Sequence, residues 1–198
     1  RATSRHREDF LKKYKLRDDA ILIGALNKYY KISPELWTTW CYIALSNPRV
    51  ILILIRYKHY GEAIDILRDE ALKRGLPASR ILVVPEASHH EFILLGSLLH
   101  LFLDTGHPIS NGHTTVLDMT WGEVPVLTWP GPSKASRVAS SILRAAGCAT
   151  LIARDLEDYE EMGKRVVRAS APAAASLAPA PASACTKEVD MFDAGVFT

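Results

Sequence analysis

The sequence predicts an α/β fold, a Rossmann-like parallel sheet with helices on both faces, and three observations carry this prediction. Short apolar runs alternate along the chain with longer stretches of helical periodicity. The run at residues 50–55 is continuously apolar and rich in Ile, which is typical of a strand covered on both faces. With 198 residues, 48% of them hydrophobic, the chain is long enough for one domain with a packed core.

The first 18 residues are polar and basic, and we interpret them as a lead-in segment before the folded lobe. Phe10, Leu11, Tyr14 and Leu16 fit one apolar face of a helix. Acidic residues are interspersed among the basic ones and the net charge of the chain is only +2, so we expect a solvated segment rather than an RNA-binding arm. No nucleic-acid partner is predicted.

The lobe itself is expected to span residues 19–168, with strands and helices in alternation. Six strands are predicted, at residues 21–26, 50–55, 81–84, 101–104, 125–128 and 150–153. Helices are predicted at residues 34–46, 62–74, 90–98, 135–146 and 156–168, with one more after the loop at 105–110. Ser33 and Pro34 form a helix start, and Gly75 and Gly147 end two helices. Such alternation implies right-handed βαβ crossovers.

Residues 169–198 are predicted to be a disordered tail. Its first part, to residue 185, is almost entirely Ala, Pro and Ser, which cannot bury enough apolar surface to offset the entropy of ordering. The longest apolar stretch, residues 92–103, is too short to span a bilayer, so no membrane span is expected. The chain does not begin with Met, which suggests a fragment.

One motif stands where a strand ends, a loop turns and a helix begins. Asn111 is predicted to cap this helix, and Gly112 allows close approach of the backbone to a ligand. The first-turn N–H groups of a helix are unpaired and carry the positive end of its dipole, which suits an anion. His113, Thr114 and Thr115 add side-chain donors at the same end.

Asp118 follows one turn after Thr114 and can accept a hydrogen bond from a sugar hydroxyl. Phosphate donors together with one hydroxyl acceptor suggest a nucleotide or a nucleotide sugar. The alternative is an ordinary capped helix after a loop. Three loops, at residues 27–32, 85–90 and 105–112, all follow predicted strands and therefore fall on one edge of the sheet, where ligands of such sheets bind.

Several linked motifs resemble the C-terminal catalytic lobe of the nucleocytoplasmic protein O-GlcNAc transferases. They are Asn-Lys-Tyr-Tyr-Lys-Ile at 27–32, Asn-Gly-His-Thr-Thr at 111–115, Trp-Gly-Glu-Val-Pro-Val at 121–126 and Ser-Arg-Val-Ala-Ser at 136–140. The resemblance runs in order from about residue 19 to about residue 168. It implies the C-terminal lobe of a glycosyltransferase of the GT-B type.

The resemblance also implies roles for single residues. Lys31 matches a lysine that contacts the diphosphate of UDP, where a fixed ammonium stabilises the charge that develops on the leaving group. Lys28 stands where the family usually has Gln near the nucleotide. Ala87 matches a position that holds uracil through backbone groups, His89 replaces a lysine that reaches the ribose, and Phe92 replaces a histidine stacked on the base; a core role for Phe92 is the alternative.

Ser110 occupies the position of a family cysteine near the sugar N-acyl group, and this small polar change is suited to tuning sugar preference. Gly112, His113, Thr114, Thr115 and Asp118 complete the predicted donor site. No general base is assigned, because in the resembled family the proposed base and most acceptor contacts lie outside this lobe.

Five histidines invite a metal interpretation: His89, His90, His100, His107 and His113. Their spacings match no standard site, no Cys or Glu recurs with them, and the three cysteines lie far apart. We therefore predict no metal and no cofactor, with UDP-GlcNAc as donor substrate.

Three functions stay open. The first is the donor-binding lobe of an inverting protein O-GlcNAc transferase that moves N-acetylglucosamine from UDP-GlcNAc to Ser/Thr hydroxyls of acceptor proteins. The second is the SPINDLY type of protein O-fucosyltransferase, which uses GDP-fucose; its stretch usually has a Gly followed by several Thr, so His113 favours the first. The third is an orphan lobe that binds nucleotide without catalysis, suggested by the departures at Lys28, His89 and Phe92.

The resemblance further implies partners that this chain does not contain. A first catalytic lobe and tetratricopeptide repeats are expected upstream, since the repeat pattern is missing here. The location expected of a nucleocytoplasmic family is cytoplasmic, nuclear or both. The chain alone is expected to be inactive in transfer, because a lone lobe does not bring the acceptor beside the donor.

Overall fold

The computed structural model of the chain describes residues 3–58, 61–106 and 110–170. Its centre is a parallel sheet in the order β3-β2-β1-β4-β5. The strands are β1 Ile21–Ala25, β2 Val50–Arg56, β3 Ile81–Pro85, β4 Leu101–Leu103 and β5 Val126–Leu127. The register pairs Ile23 with Leu52 on one side and with Leu101 on the other.

Seven α-helices surround the sheet in the part of the chain that the structure describes. They are α1 Ser4–Lys13, α2 Pro34–Leu45, α3 Gly61–Lys73, α4 His89–Gly96, α5 Thr114–Trp121, α6 Val138–Ala145 and α7 Leu156–Ala169. Ser33 caps α2 by accepting from the Leu36 N–H, as predicted. Gly75 (φ +86°) and Gly147 (φ +69°) follow the ends of α3 and α6 in the left-handed conformation that glycine adopts most easily.

The helices divide between the two faces of the sheet. The crossovers through α2 and α3 step from β1 to β3, while those through α4 and α5 return from β3 to β4 and on to β5. Right-handed crossovers in opposite directions place their helices on opposite faces. The contacts agree, because α2 packs against α3 and α7, whereas α5 packs against α4 and α6.

The core lies on both sides of β1 and β2. All five residues of β1 are buried, as the continuous apolar run predicts. On the α2 face, Trp37 and Trp40 are fully buried with their rings edge-on at 6.2 Å, and Tyr159 of α7 packs among them. These large side chains fix the distance between the helix layer and the sheet.

The predicted parallel α/β sheet is confirmed, with two local differences. Residues 150–153 were expected as a sixth strand, which is wrong. A short 3-10 helix, Ala149–Leu151, includes the first two residues of this segment, and the pairing with the sheet is one isolated bridge between Thr128 and Ile152. A single bridged pair does not make a ladder, since the segment turns away into the loop before α7.

The second difference is at the amino end. The segment expected as a solvated lead-in contains α1, in which Leu11 is only 4% exposed. Phe10, Tyr14 and Leu16 pack half-buried against the core, so the amphipathic face read from the sequence is the contact surface. The predicted tail lies, from residue 171 onward, outside the described residues. Within the described ranges we find no helix with the length and apolar character needed to cross a membrane.

The order of the strands creates a topological switch point between β1 and β4. From β1 the chain proceeds to β2 on one side, and from β4 it proceeds to β5 on the other. The loops that leave these two neighbouring strands therefore diverge, and a crevice opens between them at the carboxyl edge. We call this space the switch crevice; it is bordered by residues 26–31 after β1 and by residues 110–113 before α5.

Candidate functional site

Lys31 crosses the switch crevice. It ends a short 3-10 helix, Tyr29–Lys31, that follows β1, and its Nζ donates to the backbone oxygen of Asn111 at 2.8 Å. The side chain is half-buried. Burial lowers the pKa of Lys31, and the nearby carboxylate of Asp104 opposes this shift. The crevice thus contains a fixed, partly desolvated ammonium at the place where an anion would enter.

Asp104 lies at the base of the crevice, directly after β4, and is fully buried. Its Oδ1 accepts from the Gly112 N–H at 2.7 Å and from Asn27 Nδ2 at 3.3 Å, and its Oδ2 accepts from the Thr128 hydroxyl at 2.7 Å. Burial raises the pKa of Asp104 to about 7, against these donors and the charge of Lys31. One carboxylate therefore joins the loops that follow β1, β4 and β5.

Asn111 was predicted to cap the helix α5, and this is wrong. His113 holds the cap position and makes no side-chain capping bond. Asn111 is instead buried two residues earlier, where its Oδ1 accepts from the Ala139 N–H at 3.3 Å and its Nδ2 donates to Thr128 at 3.3 Å. The side chain therefore serves the first turn of α6, and the start of α5 keeps its N–H groups uncapped.

The start of α5 faces the crevice with His113, Thr114 and Thr115. His113 and Thr114 are exposed and Thr115 is half-buried. His113 Nε2 lies 3.2 Å from the backbone oxygen of Ala135, so this nitrogen carries the proton and donates. The arrangement offers the positive end of a helix beside Lys31, as anion binding requires.

Gly112 brings the loop and the buried carboxylate together. A Cβ at this position would stand 2.8 Å from Asp104 Oδ1 and 3.1 Å from Asn27 Oδ1. The Gly112 N–H is committed to Asp104. The close approach that glycine permits here is thus an approach to protein atoms, and the ligand contact predicted for Gly112 stays a prediction.

His89 and Asp118 meet on the other side of the site. His89 begins α4, and its Nε2 lies 3.0 Å from Asp118 Oδ1 on α5. The side chain of His89 is 70% exposed and that of Asp118 is 15% exposed. Ser88 caps α4 in a reciprocal pair with Glu91, which fixes the start of the helix at His89. His89, predicted to reach the ribose, and Asp118, predicted to accept from a sugar hydroxyl, are therefore neighbours in space.

The remaining predicted residues are more dispersed. Lys28 places its Nζ 3.5 Å from the ring centroid of Tyr57 and 3.8 Å from Glu86 Oε1, on the β2–β3 side of the loop. Ala87 is exposed between β3 and α4, and Phe92 packs half-buried against the core. Lys28 contacts Lys31 through the backbone, because its carbonyl oxygen accepts from the Lys31 N–H at 3.1 Å.

Ser110 is half-buried at the end of the loop before Asn111, and its backbone oxygen accepts from the Thr105 hydroxyl at 3.0 Å. No set of three metal-binding side chains gathers anywhere in residues 3–58, 61–106 or 110–170. His107 lies outside these ranges. The sugar-side role of Ser110 and the expectation of a metal-free site both stay predictions.

Sequence reasoning missed the network beneath the site. Asp104 was read only as the end of a strand, and Asn27 only as part of a family motif. The signal for Asp104 was a lone carboxylate that ends an apolar strand at the ligand-binding edge. Tyr159 donates to the Asp104 backbone oxygen at 2.9 Å and accepts from Trp40 Nε1 at 3.1 Å. Tyr159 belongs to α7, which is distant in sequence from Asp104, so no local sequence pattern predicts these contacts.

Comparison with known proteins assigns the family. The sequence profile of glycosyl transferase family 41 matches residues 7–175, most of the chain. The chain belongs to glycosyl transferase family 41. One relative is the UDP-N-acetylglucosamine–peptide N-acetylglucosaminyltransferase of Caenorhabditis elegans. The family-41 lobe is 39% identical to it over 153 residues, which cover 77% of the chain and 13% of the relative.

A more distant relative is the probable UDP-N-acetylglucosamine–peptide N-acetylglucosaminyltransferase SPINDLY of Petunia hybrida. It is 30% identical over 152 residues, 74% of the chain and 16% of the relative. Among solved structures, a variant of the O-GlcNAc transferase of Thermobaculum terrenum superposes with a TM-score of 0.70 at 29% identity, covering 76% of this lobe and 29% of that chain.

The sheet is therefore that of the C-terminal lobe of a GT-B glycosyltransferase. The family-41 lobe spans only about a seventh of the length of these relatives.

Proposed function

We propose that this chain is the donor-binding lobe of an inverting protein O-GlcNAc transferase, which moves N-acetylglucosamine from UDP-GlcNAc to Ser/Thr hydroxyls. The observation that carries the proposal is Lys31, whose Nζ is held at 2.8 Å on Asn111 beside the uncapped start of α5. A fixed ammonium and free helix N–H groups at a switch point suit a diphosphate. The greater similarity to the Caenorhabditis elegans enzyme supports the same donor.

In this proposal the two sides of the site have separate tasks. The diphosphate side consists of Lys31 and residues 111–115, and it stabilises the charge that develops on the leaving UDP. The nucleoside side consists of Ala87, His89 and Asp118, and it orients uracil and ribose. Asp118 accepts a hydrogen bond from a ribose hydroxyl, and His89 donates to the ribose in place of the lysine of the resembled family.

The acceptor, the general base and the other half of the cleft belong to a part of the protein outside this chain. A first catalytic lobe and tetratricopeptide repeats upstream supply them in our proposal, with the whole enzyme in the cytoplasm, the nucleus or both. The 198-residue chain then binds UDP weakly and transfers no sugar to a Ser/Thr peptide, since acceptor and donor are not brought together.

The first test is calorimetry of UDP binding to the wild type and to Lys31→Ala. We expect a loss of about 1.5–3 kcal/mol, the scale of one charge-assisted contact. Lys73→Ala is the matched control, because the side chain of Lys73 is 68% exposed at the end of α3 and pairs with Glu70 on the same helix. Equal UDP affinity in wild type and Lys31→Ala would remove the basis of the proposal.

A competition assay separates the two transferase types. UDP and UDP-GlcNAc are expected to bind better than GDP and GDP-fucose, because His113 and Ala87 match the UDP-type pattern. Preference for GDP would move this lobe to the SPINDLY type. Binding of neither nucleotide would leave an orphan lobe that keeps the fold alone.

A further inference from the structure

A buried carboxylate lies beneath the site proposed to bind a diphosphate, although its charge has the same sign as that of the ligand. Asp104 is 0% exposed and stands under the switch crevice, where its negative charge opposes that of a diphosphate. Burial of a carboxylate without partners is strongly unfavourable, so its three donors are needed to hold it. Asn27, Gly112 and Thr128 come from three different loops of the carboxyl edge.

The hydrogen bonds of Asp104 fix the start of α5 relative to β1. The Gly112 N–H donates to Oδ1 at 2.7 Å, immediately before His113 and Thr114. Asn27, which donates to the same oxygen, opens the loop that ends at Lys31. The two borders of the crevice therefore share one acceptor atom, in addition to the hydrogen bond from Lys31 Nζ to the Asn111 backbone oxygen, and loss of this acceptor would weaken the connection between them.

Asp104 also acts on the charge of Lys31. Burial alone lowers the pKa of Lys31, whereas the carboxylate of Asp104 raises it. The other titratable group against Asp104 is Tyr159 of α7, whose hydroxyl donates to the Asp104 backbone oxygen and whose pKa is raised well above its usual value by burial. Tyr159 thus stays neutral, and Asp104 supplies the countercharge that favours the ammonium form of Lys31.

We propose that Asp104 is a positioning residue of the donor site, which sets the geometry of the diphosphate side through Gly112 and favours the ammonium form of Lys31. This proposal deepens the function proposed above and rests on it for the ligand. It gives Asp104 no contact with the substrate. Asp104 works only through the groups that would touch the diphosphate.

The variant Asp104→Asn removes the charge and nearly keeps the shape. NMR titration of the Lys31 side chain, labelled with ¹³C at Cε and assigned through Lys31→Arg, is the first measurement. We expect the Lys31 midpoint to fall by about 1 pH unit in Asp104→Asn, the scale of one lost opposite charge nearby. Asp65→Asn, an exposed position of α3, is the control and should leave the midpoint unchanged.

The Gly112 amide gives a second readout without any ligand. In the wild type its ¹H and ¹⁵N shifts should follow the titration of the Asp104 carboxylate, and in Asp104→Asn this pH dependence should disappear. Unchanged Lys31 midpoints together with a Gly112 amide that does not respond to pH would overturn the proposal. If Asp104→Asn does not fold, Thr128→Val takes its place, because it removes one donor to Asp104 and should shift the Lys31 midpoint in the same direction.

UDP titrations connect the readouts to function. We expect the affinity of Asp104→Asn for UDP to fall about tenfold at pH 7.5. As the pH is raised, UDP affinity should begin to decline at a lower pH in Asp104→Asn than in the wild type. An unchanged affinity and pH profile would contradict the positioning role. A wild type that binds no UDP would contradict the proposed function instead, while the two ligand-free titrations still decide the role of Asp104.

Discussion

The diphosphate side rests on buried residues that share hydrogen bonds, whereas the nucleoside side is mostly exposed and joined by one surface contact. Asp104 and Gly112 are buried beneath Lys31, and three loops meet at the Asp104 carboxylate. The side chain of His89, by contrast, is 70% exposed and pairs with Asp118. Of the departures from the family pattern, His89 and Phe92 lie on α4 at the nucleoside side, whereas Lys28 lies in the loop after β1 and Ser110 in the loop before Asn111.

The contrast between the buried diphosphate side and the exposed nucleoside side indicates where substitutions are tolerated. A substitution among the buried donors leaves a buried polar group without a partner, which costs about 1–3 kcal/mol. A substitution at an exposed histidine exchanges one hydrated group for another and changes little. The same contrast makes the diphosphate side preorganised before any ligand arrives, while the nucleoside side can vary its contacts to the base and ribose.

The largest effect is expected from Gly112→Ala. The new Cβ would meet Asp104 Oδ1 at 2.8 Å and Val116 Cγ2 at 2.9 Å, in a buried place where neither neighbour can move freely. We expect the free energy of unfolding in urea to fall by about 2–3 kcal/mol, as for an overpacked core position. In Gly61→Ala, the control, a Cβ would have nothing within 4 Å, and stability should stay the same. Equal stability of both variants would mean that the diphosphate side is not tightly packed.

A smaller loss is expected from Tyr159→Phe. It removes the donor to the Asp104 backbone oxygen at 2.9 Å and the acceptor of Trp40 Nε1 at 3.1 Å, both buried. Two polar groups then lack a partner, and stability should fall by about 1–2 kcal/mol. Thermal and urea unfolding measure it, with Tyr42→Phe as control, because Tyr42 is 44% exposed on α2. A loss no larger than that of the control would exclude α7 as a support of the site.

The same contrast explains how far the sequence alone reaches. The continuous apolar runs of β1 and β2 and the signals at Ser33, Gly75 and Gly147 are local, and local patterns predict elements well. The three loops on one edge followed from the parallel sheet. The hydrogen bonds of Asp104 join residues 8 to 77 positions apart, and no local pattern encodes them.

Asn111 is a case in which a local sequence pattern predicted a contact that the structure does not contain. Its residue type favours a helix cap, and the local sequence supported that prediction. The structure uses it for α6 instead, because Ala139 of that helix lies beside it in space. A propensity states what a side chain can do, and the tertiary contacts decide which helix it serves.

The smallest effect is expected from His89→Ala on the nucleoside side. The pair with Asp118 is exposed on the His89 side, so its removal should change the free energy of unfolding by no more than about 0.5 kcal/mol. His90→Ala, at the exposed neighbouring residue, is the control. UDP affinity should fall less in His89→Ala than in Lys31→Ala, because a ribose hydrogen bond to an exposed imidazole is weaker than a charge-assisted contact to phosphate.

His89→Lys should raise UDP affinity above that of the wild type, since the longer cation reaches further toward the ribose. If His89→Ala instead lost as much UDP affinity as Lys31→Ala, the two sides would contribute equally to UDP binding. The contrast in burial between the two sides would then describe only the ligand-free protein.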